Sequence, residues 1–375
     1  MHVATMTGRE SGALSAPLAV EDLTLLLFGQ AAFQYLHAGS ALGVFDALAA
    51  TRGVGLTTKE LARCTGLAPH PLRCLLFGLT SLRLIVRIDG RYTNAQLVDE
   101  WIASGEWTVV RDTIALHADI VYVGEADFVD SLREDTNVGL RRIPGAGPDL
   151  YHRVAEHPRM QQVFYRYMRS WSEMALRLLL QRVAFSRWRR IVDVGGGDAT
   201  TAIAIARQAP DATVTLIDLP GNGSVAKRRI EAEGLTHRID VLEQDMFKDP
   251  FPQGVDCVLF MHQLVIWPLE TIHELLQKAY RALNPGGAVV ICSSISSDTG
   301  DGPVMAALDS VYFVSIPATR GLIYSWTDYQ QALEATGFRD IERHPCNNWT
   351  PHGAIVAAKP HRPEASRADA MRDAN

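Results

Sequence analysis

The sequence predicts an α/β protein in which a parallel sheet, covered by helices on both faces, follows a mostly helical domain. In the second half, short apolar strands alternate with helical segments, a rhythm typical of such sheets. The first half shows helical periodicity, with a single pair of short strand-like runs. A glycine turn from Gly195 to Gly197 separates the first sheet strand from a helix. This arrangement lets backbone amides approach a nucleotide-like ligand closely.

Length and composition indicate an ordinary globular protein with two domains. The chain has 375 residues, of which 47% are hydrophobic, and a formal net charge of −6. The protein therefore lacks the overall positive charge that non-specific nucleic-acid binding needs. No apolar run reaches the length of a membrane span, and the amino terminus does not resemble a secretory signal. The five cysteines include no CxxC pair, which favours free thiols in a reducing, cytoplasmic location. Taken together, the charge and the hydropathy predict no nucleic-acid and no membrane partner.

The domain organisation follows from changes in the sequence pattern. Residues 1–18 and 361–375 are rich in small and polar types and are expected to be disordered. Residues 19–185 are expected to form a helical domain for dimerisation and substrate cover. Residues 186–360 are expected to form the sheet domain, with strands at 191–194, 213–217, 239–242, 256–260 and 288–292.

A winged helix-turn-helix is expected near the start of the helical domain. A Thr-capped helix at 57–62 is followed by a turn at Gly66, a second helix at 69–82 and two strands around Asp89-Gly90. The second helix is apolar and offers Arg73 as its main cation, a poor set for contacting base edges. The pattern favours a buried dimerisation module, with a DNA-binding regulator as the alternative.

The other segments give further helices and a closing hairpin. Helical patterns cover 99–132 and 150–182, and two more helices are expected near 304–315 and 329–337. The last strand-like runs, 341–343 and 354–357, suit a hairpin at the edge of the sheet.

The residues around the glycine turn favour S-adenosylmethionine among the nucleotide cofactors. A dinucleotide fingerprint fails because Thr200 stands at its third glycine position, and no Lys-Ser or Lys-Thr follows the glycines as in a phosphate loop. Asp218, at the end of the next strand, could bind a ribose diol. Asp245 could bind the adenine amine beside an apolar wall of Met246 and Phe247. The alternative for Asp245 is a turn cap.

Four stretches resemble successive motifs of the S-adenosylmethionine-dependent small-molecule O-methyltransferase family, which includes caffeate, acetylserotonin and anthracycline types. They are Asp193-Val194-Gly195-Gly196-Gly197-Asp198, Asp218-Leu219-Pro220, Gln244-Asp245-Met246-Phe247 and Leu283-Asn284-Pro285-Gly286-Gly287. The similarity covers nearly the whole chain, because the family also carries an amino-terminal winged-helix dimerisation domain. It implies a Rossmann-like class I methyltransferase sheet and a homodimer formed through the first domain.

The resemblance also implies which residues hold the cofactor. It assigns Gly195 and Gly197 to the methionine part, Asp218 to the ribose and Asp245 to the adenine. The other residues of the expected cofactor-binding set are Asp193, Leu219, Met246, Phe247, His262 and Trp267.

The family pattern breaks where the general base is expected. The family has a His-Asp-Trp triplet after the fourth strand, but here Val265 and Ile266 precede the matching Trp267. The turn at 321–325 also lacks the glutamate that orients that base. The candidates for a replacement base are His262, Asp309, Tyr312 and His117, and the alternative role of His262 is a structural one beneath the cofactor.

An aromatic substrate pocket is expected between the sheet's carboxyl edge and the helical domain. Its predicted walls are Phe164, Met168, Trp171, Phe313, Tyr324 and Trp326. Residues at these spacings equally suit a hydrophobic core. No metal site is expected, since no second histidine stands at a helical interval from His117.

These observations predict a methyltransferase acting on a small aromatic, phenolic natural-product precursor. Methylation of a ring carbon is favoured slightly over methylation of oxygen, because the expected hydroxyl-activating base is absent. The alternatives are a relative that kept the cofactor and acquired hydroxylase-like, cyclase or binding functions, and the winged-helix regulator.

Overall fold

The computed structural model describes residues 17–220, 223–346 and 349–361. Disorder is predicted for residues 1–18 and 361–375, and nearly all of these residues lie outside the described ranges. The chain divides by its contacts into two compact units, Met1–Ile120 and Val121–Asn375. This division falls well before the boundary expected at residue 186, because the helices between residues 121 and 182 pack within the unit that contains the large sheet.

The first unit is mostly helical. Its helices are α1 (Val20–Leu27), α2 (Gly29–Ala41), α3 (Val44–Ala49), α4 (Thr58–Thr65), α5 (Pro69–Ser81), α6 (Gln96–Ser104) and α7 (Trp107–Leu116). Its strands are β1 (Leu56–Thr57), β2 (Ile85–Ile88) and β3 (Arg91–Asn94), which form a small sheet in the order β1-β3-β2.

The predicted winged-helix arrangement is present in this unit. Thr57 caps α4 through a reciprocal capping box with Glu60, and Gly66 ends α4 in the left-handed conformation. Strands β2 and β3 pair around the Asp89-Gly90 turn. The helices bury an apolar core that includes Phe45, Leu72 and Leu79.

The second unit contains the remaining elements. Its helices are α8 (Tyr122–Glu125), α9 (Phe128–Glu134), α10 (Leu150–Ala155), α11 (Pro158–Arg182), α12 (Thr200–Gln208), α13 (Gly223–Ala232), α14 (Leu269–Ala282), α15 (Val304–Ser315) and α16 (Trp326–Thr336). Its strands are β4 (Arg190–Val194), β5 (Thr213–Asp218), β6 (Ile239–Glu243), β7 (Val255–Met261), β8 (Leu283–Ser294), β9 (Arg339–Pro345) and β10 (His352–Ala358).

The two long helical patterns of the first half are divided in the structure. Gly105 ends α6 with a φ of +86°, and a π-helical turn follows α7 at His117–Val121. Pro158 opens α11 at its first position, which separates it from α10. The helical patterns over 99–132 and 150–182 therefore correspond to several separate helices, because helical periodicity continues across breaks that single residues impose.

The seven strands form one sheet in the order β6-β5-β4-β7-β8-β10-β9. The first five are parallel, and the β9–β10 hairpin adds two antiparallel strands at one edge, which confirms the α/β fold class. Successive strands are added on one side from β4 to β6 and on the other from β7 onward. The strand order therefore reverses between β4 and β7, a place where ligands commonly bind at the carboxyl ends of strands.

Both faces of the sheet are buried. On one face, α11 and α12 pack on Ile191, Leu259 and Val290, and on the other, α14 and α16 pack on Val192, Val258 and Ile291. This alternation along each strand follows from the two-residue period of a β-strand. None of the helices in the described ranges has the length and apolar character that a membrane crossing needs.

Candidate active site

The glycine turn lies after β4 at the carboxyl edge of the sheet. Gly195 has a φ of +72°, and its amide donates a 2.8 Å hydrogen bond to the carbonyl of Ile217 in β5. A Cβ atom on Gly195 would overlap the side-chain amide of Gln263, which follows β7. Glycine is therefore required here for both backbone conformation and space. Gln263 is a site residue that the sequence analysis missed.

Asp193 lies at the end of β4, directly beneath this turn. Both oxygens are buried and accept no hydrogen bond from any described residue. A Cβ atom on Gly196 would lie 2.9 Å from Oδ2 of Asp193. Burial, together with the charge of Asp218, raises the pKa of Asp193 to about 7. An orphaned acceptor at this depth fits a ligand that brings a hydrogen-bond donor, such as the amino group of a methionine moiety.

Asp218 ends β5 and is fixed by the backbone on both sides. Oδ2 accepts a hydrogen bond from the Gly197 amide and Oδ1 one from the Leu219 amide, each at 2.8 Å. Carboxylate oxygens can accept more than one hydrogen bond, so this geometry is compatible with the predicted ribose diol.

Asp245 follows β6 and closes a turn. Oδ1 accepts a hydrogen bond from the Phe247 amide at 2.9 Å, and Oδ2 pairs with Lys248, also at 2.9 Å. The turn-capping role weighed from the sequence is thus present, and the adenine-binding role stays a prediction. Phe247 meets Trp267 edge to face at 4.8 Å, while Met246 packs partly against the core. These aromatic rings supply the apolar wall expected beside Asp245.

Asp198, in the same turn, is clamped by two cations that the sequence analysis did not identify. Arg169 of α11 donates to Oδ2 at 2.9 Å, and Arg229 of α13 donates to the same oxygen. Oδ1 accepts from the Thr200 amide at the start of α12. The clamp joins α11, α12 and α13 around the glycine turn, and it could be found only from the tertiary structure because its members are far apart in sequence.

His262 follows β7 at the same sheet edge, with an unusual φ of +55°. Its amide donates to the Cys292 carbonyl at 2.8 Å, whereas its buried Nε2 has no partner among the described residues. Burial lowers the pKa of His262 to about 4, so the ring is neutral near pH 7. A neutral imidazole carries one acceptor nitrogen and one donor nitrogen.

His352 forms a ring pair with His262 and was missed by the sequence analysis. The ring centroids of the two histidines are 5.0 Å apart, and the ring centroid of Trp171 in α11 lies 4.9 Å from that of His352. Nδ1 of His352 is 2.7 Å from Oγ1 of Thr350, while its buried Nε2 has no partner in the described ranges. The register of β10 with β8 places His352 opposite Ser294, at the carboxyl end of β8. Only the register of β10 against β8 could have indicated that His352 lies at this site.

Val265 and Ile266, at the positions where the family resemblance places the base and its neighbour, are buried. They lie in a 3-10 turn, Leu264–Ile266, and pack with Ala306, Ala318 and Ile323. The partly buried rings of Tyr151, Trp267 and Phe313 pack on the same cluster. This part of the site is therefore an apolar surface.

The predicted pocket walls do not all lie together. Phe164 and Trp171 are buried on α11, where Met168 is half-buried. Trp171 packs on His352, but Trp326 packs on the neighbouring residue, Gly353. Because successive residues of a strand face opposite sides, the two tryptophans lie on opposite faces of β10.

Tyr324 and Phe313 have different surroundings. The Tyr324 hydroxyl donates to the Trp267 carbonyl at 3.0 Å, on the same side of the sheet as Trp326. Phe313 packs edge to face on Tyr312 with ring centroids 5.0 Å apart, beside the apolar turn. Tyr324 and Trp326 thus pack chiefly in the core of that face, while Trp171 and Phe313 keep the pocket role as a prediction.

The remaining candidate bases occupy both units. Asp309 and Tyr312 lie one turn apart on α15 in the second unit. His117 belongs to the first unit, where its ring is 6.1 Å from that of Phe33, and burial lowers its pKa to about 4. Its role as a base stays a prediction.

Comparison with protein families identifies both parts of the chain. Residues 126–339 match the O-methyltransferase domain, and residues 24–104 match the O-methyltransferase dimerisation domain. Together with the site at the reversal of strand order, these matches define a methyltransferase that uses S-adenosylmethionine. The chain belongs to the O-methyltransferase family, and its first unit contains the family's dimerisation domain.

Several relatives match over most of their length. L-tyrosine C(3)-methyltransferase of Streptomyces lavendulae is 44% identical over 346 residues, covering 92% of this chain and 94% of the relative. The 3-hydroxy-5-methyl-1-naphthoate 3-O-methyltransferase of Streptomyces sahachiroi is 31% identical, covering 85% and 89%.

Solved structures show the same fold. The S-adenosylmethionine-dependent methyltransferase SibL, in its apo form, has a TM-score of 0.82 and 41% identity, covering 92% of this chain and 100% of that one. Human N-acetylserotonin methyltransferase in complex with S-adenosylmethionine has a TM-score of 0.77 at 24% identity, covering 93% and 100%.

Proposed function

We propose that this methyltransferase places a methyl group on a ring carbon next to the phenolic hydroxyl of a small aromatic amino acid of the tyrosine type. The observation that carries the proposal is the buried apolar pair Val265 and Ile266 at the position of the family's general base. A site without that base is less suited to methylating a hydroxyl oxygen. The 44% identity to a tyrosine ring methyltransferase supports the same reaction.

The chemistry asked of the protein side chains is modest. S-adenosylmethionine, when bound, supplies a methyl group already activated on a positively charged sulfur. Asp193, Asp218 and the glycine turn would hold the cofactor, and the apolar surface at Val265 and Ile266 would hold the acceptor ring and exclude water. Positioning of this kind can supply much of the rate acceleration.

His262 is the proposed acceptor of the phenolic proton. An unperturbed phenol has a pKa of about 10, so its ring is only weakly nucleophilic at neutral pH. A hydrogen bond from the hydroxyl to the unpartnered Nε2 of His262 would increase electron density on the adjacent ring carbon. As the bond between the methyl group and sulfur breaks, that carbon would form the new bond to the methyl group. It would then lose its own proton to solvent, and His262 would return the phenolic proton to the oxygen, which restores the aromatic phenol.

The position of the transferred methyl tests the proposal. The purified protein is incubated with L-tyrosine and cofactor carrying a ¹³C-labelled methyl, and the product is analysed by NMR and mass spectrometry. We expect the label on the ring carbon next to the hydroxyl. Label on the phenolic oxygen would instead support O-methylation, which the naphthoate O-methyltransferase relative favours. No labelled product from a panel of phenols and aromatic amino acids would contradict both.

Replacement of His262 tests its role. We expect His262→Gln to lower kcat for ring methylation by about 100-fold or more, because the phenol loses its proton acceptor. The matched control is His237→Gln, at an exposed histidine in the same unit. If the His262 variant lost cofactor affinity while its kcat remained unchanged, the structural role of His262 would hold instead.

We also infer that the protein is a homodimer formed through its first unit and works in the reducing cytoplasm. The dimerisation-domain match supports the first inference, and the five free cysteines support the second.

A further inference from the structure

Two carboxylates of the second unit form no ion pair with a described cation. Glu125 ends α8, and Asp309 lies in the middle of α15. Neither side chain forms a hydrogen bond or an ion pair with any residue in the described ranges. Burial raises the pKa of Glu125 to about 7, and burial together with the charge of Glu125 raises that of Asp309 to about 7. Two like charges in a poorly hydrated place repel each other.

The same segment does supply cations to another carboxylate. Asp127, two residues after Glu125, is buried and pairs with Arg141 at 2.9 Å and with Arg142 at 2.7 Å. These pairs hold the pKa of Asp127 well below its usual range. Both arginines thus form ion pairs with Asp127. No described arginine or lysine neutralises Glu125 or Asp309 in the same way.

Close packing brings α8, which carries Glu125, against the carboxyl end of α15, which carries Asp309. A Cβ atom on Gly124 would lie 2.7 Å from Cδ1 of Ile316, and one on Gly139 would lie 2.8 Å from the Ser315 carbonyl oxygen. Gly124 lets α8 approach the end of α15, and Gly139, in the 3-10 turn Val138–Arg142, packs against both Gly124 and Ser315. The position of Glu125 beside α15 therefore follows from the fold.

A largely buried tyrosine lies close to Asp309 on the same helix. Tyr312, one turn further along α15, is only 9% exposed, and its hydroxyl has no hydrogen-bond partner among the described residues. The charge of Asp309 contributes to the raised pKa of both Tyr312 and Tyr167. Buried polar groups normally have partners, so the Tyr312 hydroxyl beside Asp309 fits a place that a polar ligand completes.

The polar cluster adjoins the apolar surface described above. Tyr151, which also acts on Tyr312 electrostatically, packs on the cluster around Val265 and Ile266. Phe313 packs on the same cluster and on the ring of Tyr312. A single acceptor could therefore place an aromatic ring on the apolar surface and a charged group at the carboxylates.

We propose that Glu125 and Asp309, with the Tyr312 hydroxyl, bind the protonated amino group of the acceptor. An ammonium group brings one positive charge and three donors, which match two carboxylates and a hydroxyl. A metal ion fits less well, because no third His, Cys, Asp or Glu joins them to form a metal site within the described ranges. This inference rests on the proposed function for the aromatic part of the acceptor and makes the amine a requirement for tight binding.

Equilibrium binding tests the site separately from catalysis. The full-length protein, saturated with S-adenosylhomocysteine, is titrated calorimetrically with L-tyrosine, with tyramine, and with 3-(4-hydroxyphenyl)propanoate, which lacks the amine. We expect the wild type to bind both amines at least 10-fold more tightly than the propanoate. Glu125→Gln and Asp309→Asn should each weaken binding of the amines by about 10- to 100-fold, the range typical of hydrogen bonds to charged groups. The same variants should leave propanoate binding unchanged or make it tighter.

The matched control is Glu134→Gln, which alters an exposed glutamate of α9 and should bind all three compounds as the wild type does. Binding of S-adenosylhomocysteine by each variant checks that the fold is intact. Equal losses for amines and propanoate would overturn the proposal, as would wild-type affinity for tyramine in both site variants. A wild type that binds neither amine, or binds the propanoate equally well, would also overturn it.

The two proposals fail in different ways. Methyl transfer to oxygen would contradict ring methylation but leave the difference between amines and propanoate intact. Loss of that difference would remove the ammonium site, while the labelled ring carbon would still support the proposed function.

Discussion

Three titratable side chains, Asp193, His262 and Asp309, lie in low-polarity surroundings and have no hydrogen-bond partner among the residues that the structure describes. Burial favours the neutral form of each, so it raises the pKa of both aspartates to about 7 and lowers that of His262 to about 4. Near neutral pH the ligand-free site therefore carries less charge than its composition suggests. Ligands that bring complementary donors or charges would recover the free energy lost by leaving these groups unpaired.

The stability of the ligand-free protein should reveal the burial of Asp309. Its pKa is about 7 in the folded protein, against an ordinary value of 3.8. Stability due to its protonated form is therefore fully present below pH 4 and is lost as the pH rises through 7. We expect Asp309→Asn to raise the melting temperature at pH 8 by about 2–4 °C, since asparagine carries no charge at this pH.

Thermal melts at pH 5 and pH 8, without ligand, provide the measurement. The gain should be small at pH 5 and absent from the control Asp211→Asn, at an exposed aspartate. A lower melting temperature of the Asp309 variant at pH 8 would mean that a stabilising partner holds the carboxylate.

Helices α8 and α15 show how secondary-structure elements position the proposed amine site. Neither element carries a sequence motif for amine binding, and their contact depends on glycines at 124 and 139. Because core packing is dense, small changes at such contacts displace whole elements. The geometry of the site is thus a property of the contact between these helices.

Gly139→Ala tests this contact. The added methyl would overlap the Gly124 carbonyl oxygen, so we expect a loss of about 1–3 kcal/mol in the free energy of unfolding. Tyramine should also bind more weakly, because α8 would shift and carry Glu125 with it. Gly29→Ala is the control, since a Cβ atom added there would meet no other atom within 4 Å. Unchanged stability and tyramine binding in the Gly139 variant would show that the contact adapts.

At the same scale, many elements could be predicted from local pattern. Strand β4 begins one residue before its predicted start, and α15 has its predicted bounds. Strand β8 is longer than expected, because it begins at Leu283, before the Asn-Pro-Gly-Gly segment. Breaks were harder to predict: the π-helical turn at His117–Val121 leaves the apolar periodicity nearly unchanged.

For the whole molecule, the first unit presents an exposed apolar helix. Leu26 and Phe28, in and directly after α1, are 68% and 63% exposed, and no residue of α1 is buried. Contiguous apolar surface of this kind marks protein interaction sites. Residues 24–104 match a dimerisation domain, so we propose that a second copy of the chain covers this helix.

Charges on this helix should separate the dimer. We expect the double variant Leu26→Glu/Phe28→Glu to elute with about half the wild-type mass by light scattering, because burying two carboxylates at an interface is costly. Val129→Glu, which replaces an apolar residue that is 57% exposed in the second unit, should leave the mass unchanged. A monomeric wild type, or a double variant that remains dimeric, would contradict this assignment.

The sequence by itself determined the fold class, the family and the cofactor. These depend on local features, namely alternating strands and helices, the glycine turn and an acidic residue at the end of β5, which operate within short stretches of chain. The tertiary structure decided which distant residues meet. It paired His262 with His352, separated Trp326 from Trp171 and, within the described ranges, gave Glu125 and Asp309 no cation partner. Such meetings depend on strand register, helix packing and burial, which no short stretch of sequence specifies.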